Sequence, residues 1–299
     1  VMSLLVSLAV GACAPSAPPT APGRPAQAEP TQVASTPTSS RTTAPTPLPP
    51  TAVARPATPA PPAGATPKPT EATPKRGGTL SLVLVGEPPN WDPYQNVKYI
   101  HLWDFIGDSV LNYDPQNGAP EPQLAESWEH ANPTTLVLHI RKGVRWHNLP
   151  PVNGRELTAE DVVWSMQRLS RPEATYPWQG RFERVAKIEA TDKYTIKLTL
   201  KSPFAPLLSY LRGSPFPYQV VLPHEVEDKY GKEGFRDPER ALGTGPFMVQ
   251  KYTPSVGGTF VRNLSYWRPD LPYLDKIQVY VVPDDATLIA AYRTGRIDY

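Results

Sequence analysis

Eighteen of the chain's 40 prolines fall between Cys13 and Pro74, in a stretch otherwise built from Ala, Thr and Ser with almost no aromatic residue. That stretch sets the first limit on the fold. It holds too little apolar surface to offset the entropy of ordering a backbone, and each proline removes a hydrogen-bond donor, so an extended or polyproline-like chain is expected there. At about 3.1 Å per residue a fully extended segment of this length reaches up to roughly 190 Å, and a flexible coil averages nearer 45 Å. Either length makes it a spacer. Folding is confined to the residues from Lys75 onward, which carry all seven tryptophans and suffice for one large domain or two small ones.

The residues before the spacer suggest what it is spaced from. Met2 to Val10 form an apolar run of about nine residues, too short for roughly 30 Å of hydrocarbon but suited to the apolar core of a signal peptide. Cys13 is the only cysteine. A lone thiol cannot form an internal disulfide, and no Cys/His cluster accompanies it to hold zinc. Val10-Gly11-Ala12-Cys13 resembles the bacterial lipobox, in which the cysteine is acylated and becomes the mature N-terminus; the alternative is a secretory leader with an incidental cysteine. The expectation is a lipoprotein signal peptide over 1–13, lipidation at Cys13, a disordered tether over 14–75 and a folded part over 76–299, lipid-anchored on the extracytoplasmic side of the cell membrane.

Within the folded part, strict alternation marks strands. In KYTIKLTL, Tyr194, Ile196, Leu198 and Leu200 share one face; Leu136, Leu138 and Ile140 do so in TLVLHIR, and Ile277, Val279 and Val281 in KIQVYVV. GTLSLVLV from Gly78 is apolar on both faces toward its end, which predicts a central strand. LTAEDVVWSMQRLSRP predicts a helix with Thr158 as N-cap, Asp161 three residues on, an apolar stripe at Val162, Met166 and Leu169, and Pro172 as its stop. A second helix is expected over DDATLIAAYRTG, starting on Asp284 or Asp285, carrying Leu288, Ile289 and Tyr292 and ending at Gly295. Strands and helices mix without a steady βα rhythm or internal repeats. The fold class expected is α/β or α+β on a mixed sheet.

Candidate chemistry is sparse. A net charge of +2 with scattered basic residues argues against nucleic acid as a partner. His101, His130, His139, His147 and His224 lack the paired spacing of a metal site, so surface or packing roles are expected for them, with no metal and no cofactor. Gly243-Thr244-Gly245-Pro246-Phe247 is not a dinucleotide loop, because Pro246 falls where a phosphate-binding helix would begin. Gly143 in RKGVR reads as a turn between strands. The acidic pairs Glu160-Asp161 and Asp284-Asp285 sit at helix starts, where they complement the dipole. No nucleophile elbow is present, and no enzyme is expected.

The segment LAESWEHANPTTLVLHIRKGVRWHN brings in a family. Its Ala-Glu-Ser-Trp, alternating strand, Arg-Lys-Gly and aromatic-His-Asn turn resemble the oligopeptide-, dipeptide- and nickel-binding proteins of bacterial ABC importers, family 5 of the solute-binding proteins. The similarity continues through LTAEDVVWSMQRL, KSPFAPLLSYL, VLPHEVEDKYG, GTGPF and YWRPDLPYLDKIQVYVVPDDATLIAAYRTGRIDY, and so spans Gly77 to Tyr299. One departure is NLPPVNG after His147, longer than the family's usual turn. The resemblance implies a type II periplasmic-binding-protein fold of two lobes. Residues 76–299 would supply the first lobe only, with a subdomain of roughly 105–184 inserted and the second lobe absent. It also implies capture of a peptide or related small solute and delivery to permease subunits; a sensory or structural surface lipoprotein of the same fold is the alternative.

On that resemblance the loop EPPNWDPY faces the ligand. Pro88, Pro89 and Pro93 would stiffen it, so that Asn90, Trp91, Asp92 and Tyr94 meet a guest, although Trp91 and Tyr94 also suit a core. Gly243, Thr244 and Gly245 form a second candidate contact, since glycine lets a backbone come close, and a structural turn fits them equally.

Overall fold

The computed structural model describes residues 74–96, 98, 101–172, 176–213 and 219–298. Cys13, the expected leader and all but the last two residues of the expected tether lie outside them. In chain order the elements are β1 (Thr79–Leu84), α1 (Leu102–Ile106), β2 (Leu111–Tyr113), β3 (Pro120–Pro122), β4 (Ala125–Asn132), β5 (Thr135–Ile140), α2 (Ala159–Leu169), β6 (Val185–Asp192), β7 (Thr195–Leu200), α3 (Leu207–Tyr210), α4 (His224–Tyr230), β8 (Phe247–Thr253), β9 (Gly257–Arg262), β10 (Lys276–Val281) and α5 (Asp285–Arg293).

Two four-stranded sheets organise them. The first has the order β1-β10-β9-β8 and is mixed, with β1 parallel to β10 and the other pairs antiparallel. The second, β4-β5-β7-β6, is antiparallel throughout. In the second sheet Leu136, Leu138 and Ile140 of β5 and Ile196, Leu198 and Leu200 of β7 are buried, each removing on the order of 2 kcal/mol of apolar surface from water. Helix α2 lies over β6 and β7 and buries Val162, Met166 and Leu169. Its start is the expected capping box, with Asp161 accepting from the Thr158 N–H at 2.8 Å.

One expectation changes. β1 is an edge strand of its sheet rather than a central one. Its second edge is met by chain from beyond α5, where the Asp298 N–H donates to the Ser81 carbonyl at 2.9 Å and the Ser81 N–H donates to the Asp298 carboxylate at 2.8 Å, so an edge sequence that looks buried on both faces is partly shielded without a second strand beside it. β6 and β7 complete the sheet begun by β4 and β5, and pairing continues to Leu200. Phe105 packs edge-on against Phe247 and Phe260 of the first sheet. α5 forms with Asp284 as N-cap, its Ile289 51% exposed and its Tyr292 65%. Among the described residues no helix is long and apolar enough to cross a membrane.

Candidate functional site

Strands β1 and β10 run parallel and in register, so their carboxyl ends, Leu84 and Val281, lie side by side. Guests of open α/β sheets sit outside such ends, where consecutive loops part. Here one loop is 85–96 and the other leads through Asp284 into α5.

The first loop divides in two. Its opening half is exposed at Val85 and Pro89. It is fixed by Glu87, whose carboxylate accepts from the Tyr252 hydroxyl at 3.0 Å and the Ser255 N–H at 2.7 Å, tying the loop to the β8–β9 hairpin. Burial and the Glu87 carboxylate push the Tyr252 phenol well above its ordinary range, which keeps the proton it donates in place.

The closing half is core. Trp91 is only 5% exposed; its ring meets Tyr252 edge-on at 4.7 Å and stacks on Phe260 at 6.4 Å, and its carbonyl accepts from Trp103 Nε1. Asp92 is fully buried and receives both ends of the Arg168 guanidinium, at 3.1 and 2.6 Å. Tyr94, also fully buried, donates its hydroxyl to the Val220 carbonyl at 2.8 Å. Asn90 is half-buried, and its side chain accepts from the Asp92 N–H at 2.9 Å. Of the four expected contacts, Trp91, Asp92 and Tyr94 therefore present almost no surface to a guest, and Asn90 alone lies at the boundary. The gap beside Asn90, Trp91 and Trp103 measures about 10 Å³, room for at most a single water.

Arg168 holds this arrangement. It is fully buried on α2, pairs with Asp92 and with Glu227 of α4, and lies over the rings of Tyr94, Tyr176 and Phe235 at 4.8–5.2 Å. Arg171 continues the chain of charges by pairing with the other Glu227 oxygen. Removing ions from water is costly unless they pair and hydrogen-bond well, and no buried polar side-chain atom of Asp92, Arg168 or Glu227 is left without a partner. A local signal for Arg168 does exist in the sequence. Asp161, Ser165 and Arg168 recur at i, i+4 and i+7, a polar line bordering the apolar stripe, and all three are buried. Ser165 uses its place there to exchange two hydrogen bonds with the Leu222 backbone.

The Gly243–Gly245 turn meets this chain's own backbone. A Cβ on either glycine would collide with the end of α1 at Ile106, where the Gly245 N–H donates to the Ile106 carbonyl at 2.8 Å. Thr244 is buried and donates to Asp108 at 2.9 Å. Asp108, with no local signature, is a second hub: it also accepts from Gln123, Tyr266 and the indole N–H of Trp267. His147 closes the turn from below. Its Nε2 lies 3.2 Å from the Gly245 carbonyl and its Nδ1 receives the Gly243 N–H at 3.4 Å, a pairing that fits one neutral tautomer, and burial lowers its pKa to about 4. Asp161, His224 and Glu225 stand close enough to suggest a metal cage, but Arg155 already takes both carboxylates.

Beside the two strand ends lies a groove of about 300 Å³, lined by Val256, Tyr280, Val282, Thr287, Arg296 and Ile297. It has the apolar walls and few polar groups of a small-molecule site.

Residues 119–299 match the family described as Bacterial extracellular solute-binding proteins, family 5 Middle. The chain belongs to this family. Among curated proteins, heme-binding protein A of Haemophilus influenzae is 32% identical over 249 residues, covering 77% of this chain and 44% of that protein. The nickel-binding periplasmic protein of Escherichia coli is 30% identical over 183 residues (61% and 33%), and di/tripeptide-binding protein 1 of Pseudomonas aeruginosa 27% over 224 (69% and 41%). The chain thus spans about a third to under half the length of these curated relatives. Among solved structures, the ABC-transporter-associated periplasmic binding protein DppA of Helicobacter pylori in complex with the peptide STSA superposes with a TM-score of 0.64 at 27% identity, covering 75% of this chain and 46% of that one. The oligopeptide-binding protein AppA of Bacillus subtilis gives 0.67 at 21%, covering 76% and 44%, a likeness of fold alone. The family 5 fold is the mixed α/β fold of type II periplasmic binding proteins, and this coverage fits one lobe. These relatives are described as solute-binding proteins.

Proposed function

We propose that this chain forms one wall of the cleft of an extracytoplasmic binding protein that captures a peptide or a related small solute and passes it to an ABC permease. Family membership supports the class. The observation that carries the site is the open carboxyl end of the β1–β10 pair, where Glu87 pins an exposed half-loop to Ser255, which also lines a 300 Å³ groove. Val85, Asn90 and the groove meet the guest, while Trp91, Asp92, Tyr94 and the Gly243–Gly245 turn hold that surface in shape. A pre-shaped wall gives up little conformational entropy on binding. Acylation of Cys13 supplies the anchor and residues 14–75 the reach.

Two experiments test this. Titrating the protein with tripeptides, nickel–histidine and heme while following thermal unfolding is expected to raise Tm for the tripeptides, and Asn90→Ala to weaken that response; a response to none, or one indifferent to Asn90 and Val85 substitutions, would remove the site. In cells, Cys13→Ser behind a complete leader is expected to move the protein from the membrane to the soluble fraction, since each buried CH₂ of an acyl chain contributes about 0.8 kcal/mol. Unchanged fractionation would sink the anchor.

A further inference from the structure

β6 is an outer strand of the second, antiparallel sheet β4-β5-β7-β6. Among the described residues, no backbone group of 186–190 has a hydrogen-bond partner outside the pairing with β7, so a row of N–H and C=O groups faces away from the sheet. A groove of about 510 Å³ runs beside this row. It is lined by four successive residues of β6, Val185, Ala186, Lys187 and Ile188, and by the end of α2 at Gln167 and Ser170. Alternate side chains of a strand point to opposite faces, so four in a row share one groove only where it follows the strand's edge. That edge is open to another chain, and β6 contains no proline to block pairing.

The order of charges on β6 selects the partner. Its pairing with β7 is regular over 187–190 and shifts register on either side. Within the regular stretch Lys187 and Glu189 flank Ile188 on one face and pair with each other at 2.6 Å, their side chains 64% and 32% exposed. A second β6 laid antiparallel on the first, with a twofold axis at Ile188, sets Lys187 opposite Glu189 of the second copy and Glu189 opposite its Lys187. Ile188 then faces Ile188, and Ala186 faces Ala190. Directly opposed side chains on antiparallel strands lie about 5 Å apart, so two ion pairs form across the interface. The sheet's other outer strand offers no such match, since β4 carries Glu126 and Glu129 but no Lys or Arg. The twofold occupies both β6 edges, so the contact closes at two copies. The register shifts keep it short, well below a permanent interface, and it forms and parts with concentration.

We infer that β6 is a self-complementary docking edge, on which a second copy of this chain adds its own β6 to make a continuous eight-stranded antiparallel sheet. The contact uses no residue of the β1–β10 site, so it stands apart from the reading of the protein as a solute binder.

The test is sedimentation velocity of the 299-residue chain from about micromolar to about millimolar concentration, under reducing conditions so that Cys13 cannot link copies. The unaltered chain is expected to pass from monomer to dimer across that range. Lys187→Glu and Glu189→Lys each set like charges opposite one another twice, and each is expected to weaken the dimer at least about tenfold. The two single variants mixed together are expected to associate again, because an acidic edge then meets a basic one. The double variant, Lys187→Glu with Glu189→Lys, is expected to restore the original dimer. Tm should hardly move in any of them, since both side chains lie at the surface. A chain that stays monomeric at every concentration overturns the inference, and Lys187 then guards the edge against pairing. A dimer that the single variants leave unchanged also overturns it, as does one that neither the mixture nor the double variant rescues, because another surface would then join the copies.

Discussion

The two four-stranded sheets have the same size and opposite origins. β4, β5, β6 and β7 come from one stretch, Ala125 to Leu200, and every pairing is antiparallel. The other sheet joins Thr79–Leu84 to Lys276–Val281 in parallel, across almost the whole folded chain. The local sheet can be specified by its own alternation and turns. The long-range sheet cannot, and it relies on polar ties elsewhere: Glu87 to the β8–β9 hairpin, Asp92 to Arg168, and Asp108 to the Gly243–Gly245 turn. Packing specifies one sheet, and buried charge and hydrogen bonds position the other.

Arg168 is where that contrast can be broken most forcefully, because it stands on the helix over the local sheet and reaches the loop leaving the long-range one. Arg168→Met leaves the buried Asp92 without a cation, with only Arg171 remaining on Glu227, and is expected to cost about 3–5 kcal/mol in urea unfolding. A loss under about 1 kcal/mol would show that the tie holds nothing, and two separate transitions would show that the sheets unfold independently.

Acid separates the sheets next. His147 binds the turn that leads into β8, and its folded pKa of about 4 lies below the ordinary 6.5. The unfolded chain therefore takes up this proton first, so the stability is complete above about pH 6.5 and falls as pH drops toward 4, by about 3 kcal/mol. Glu156 serves the local sheet. Its pKa is lowered to about 2 from 4.5 by Lys193, the Gly143 N–H and Tyr194, so its contribution is present above about pH 4.5 and is lost below, and its exposure to solvent keeps it small. Unfolding followed from pH 8 to 3 is expected to show the first loss, and His147→Gln to flatten it. An unchanged profile in that variant would discard the assignment.

Packing predicts a smaller difference of about 2 kcal/mol. Leu198→Ala, fully buried in the local sheet, is expected to cost about 2–5 kcal/mol, and Leu82→Ala, half-buried on β1, clearly less. Equal costs would mean that β1 is as enclosed as a central strand. The smallest effect is at α5, where Asp284→Ala removes the cap on Thr287 and should cost about 1 kcal/mol, read as lost helicity at 222 nm.

The sequence makes one sheet more readable than the other for the same reason. β5 and β7 follow from Leu136, Leu138, Ile196 and Leu198 in alternation, and α2 from Thr158 and Asp161, because burial with period 2 or 3.6 is written locally. β1 reads as central in the sequence because an apolar run does not tell which edge a later Asp298 will meet. The site was harder. Trp91 and Tyr94 are aromatic whether they face a guest or a core, and what decides between them is Arg168, 76 residues from Asp92 in the chain. The glycines of Gly243–Gly245 do permit close approach, but the approaching backbone is that of Ile106 rather than a ligand's.

The parallel pairing of β1 with β10 also has a meaning in time. Thr79 leaves the ribosome first and its partner Lys276 leaves almost two hundred residues later, an interval of about 10–40 s at 5–20 residues per second. Throughout that interval Leu80, Leu82 and Leu84 have no strand to join, while Ala125–Leu200 can close as soon as it emerges. A newborn chain therefore spends its first half-minute with its own leading strand unclaimed, open to whatever holds or escorts nascent protein.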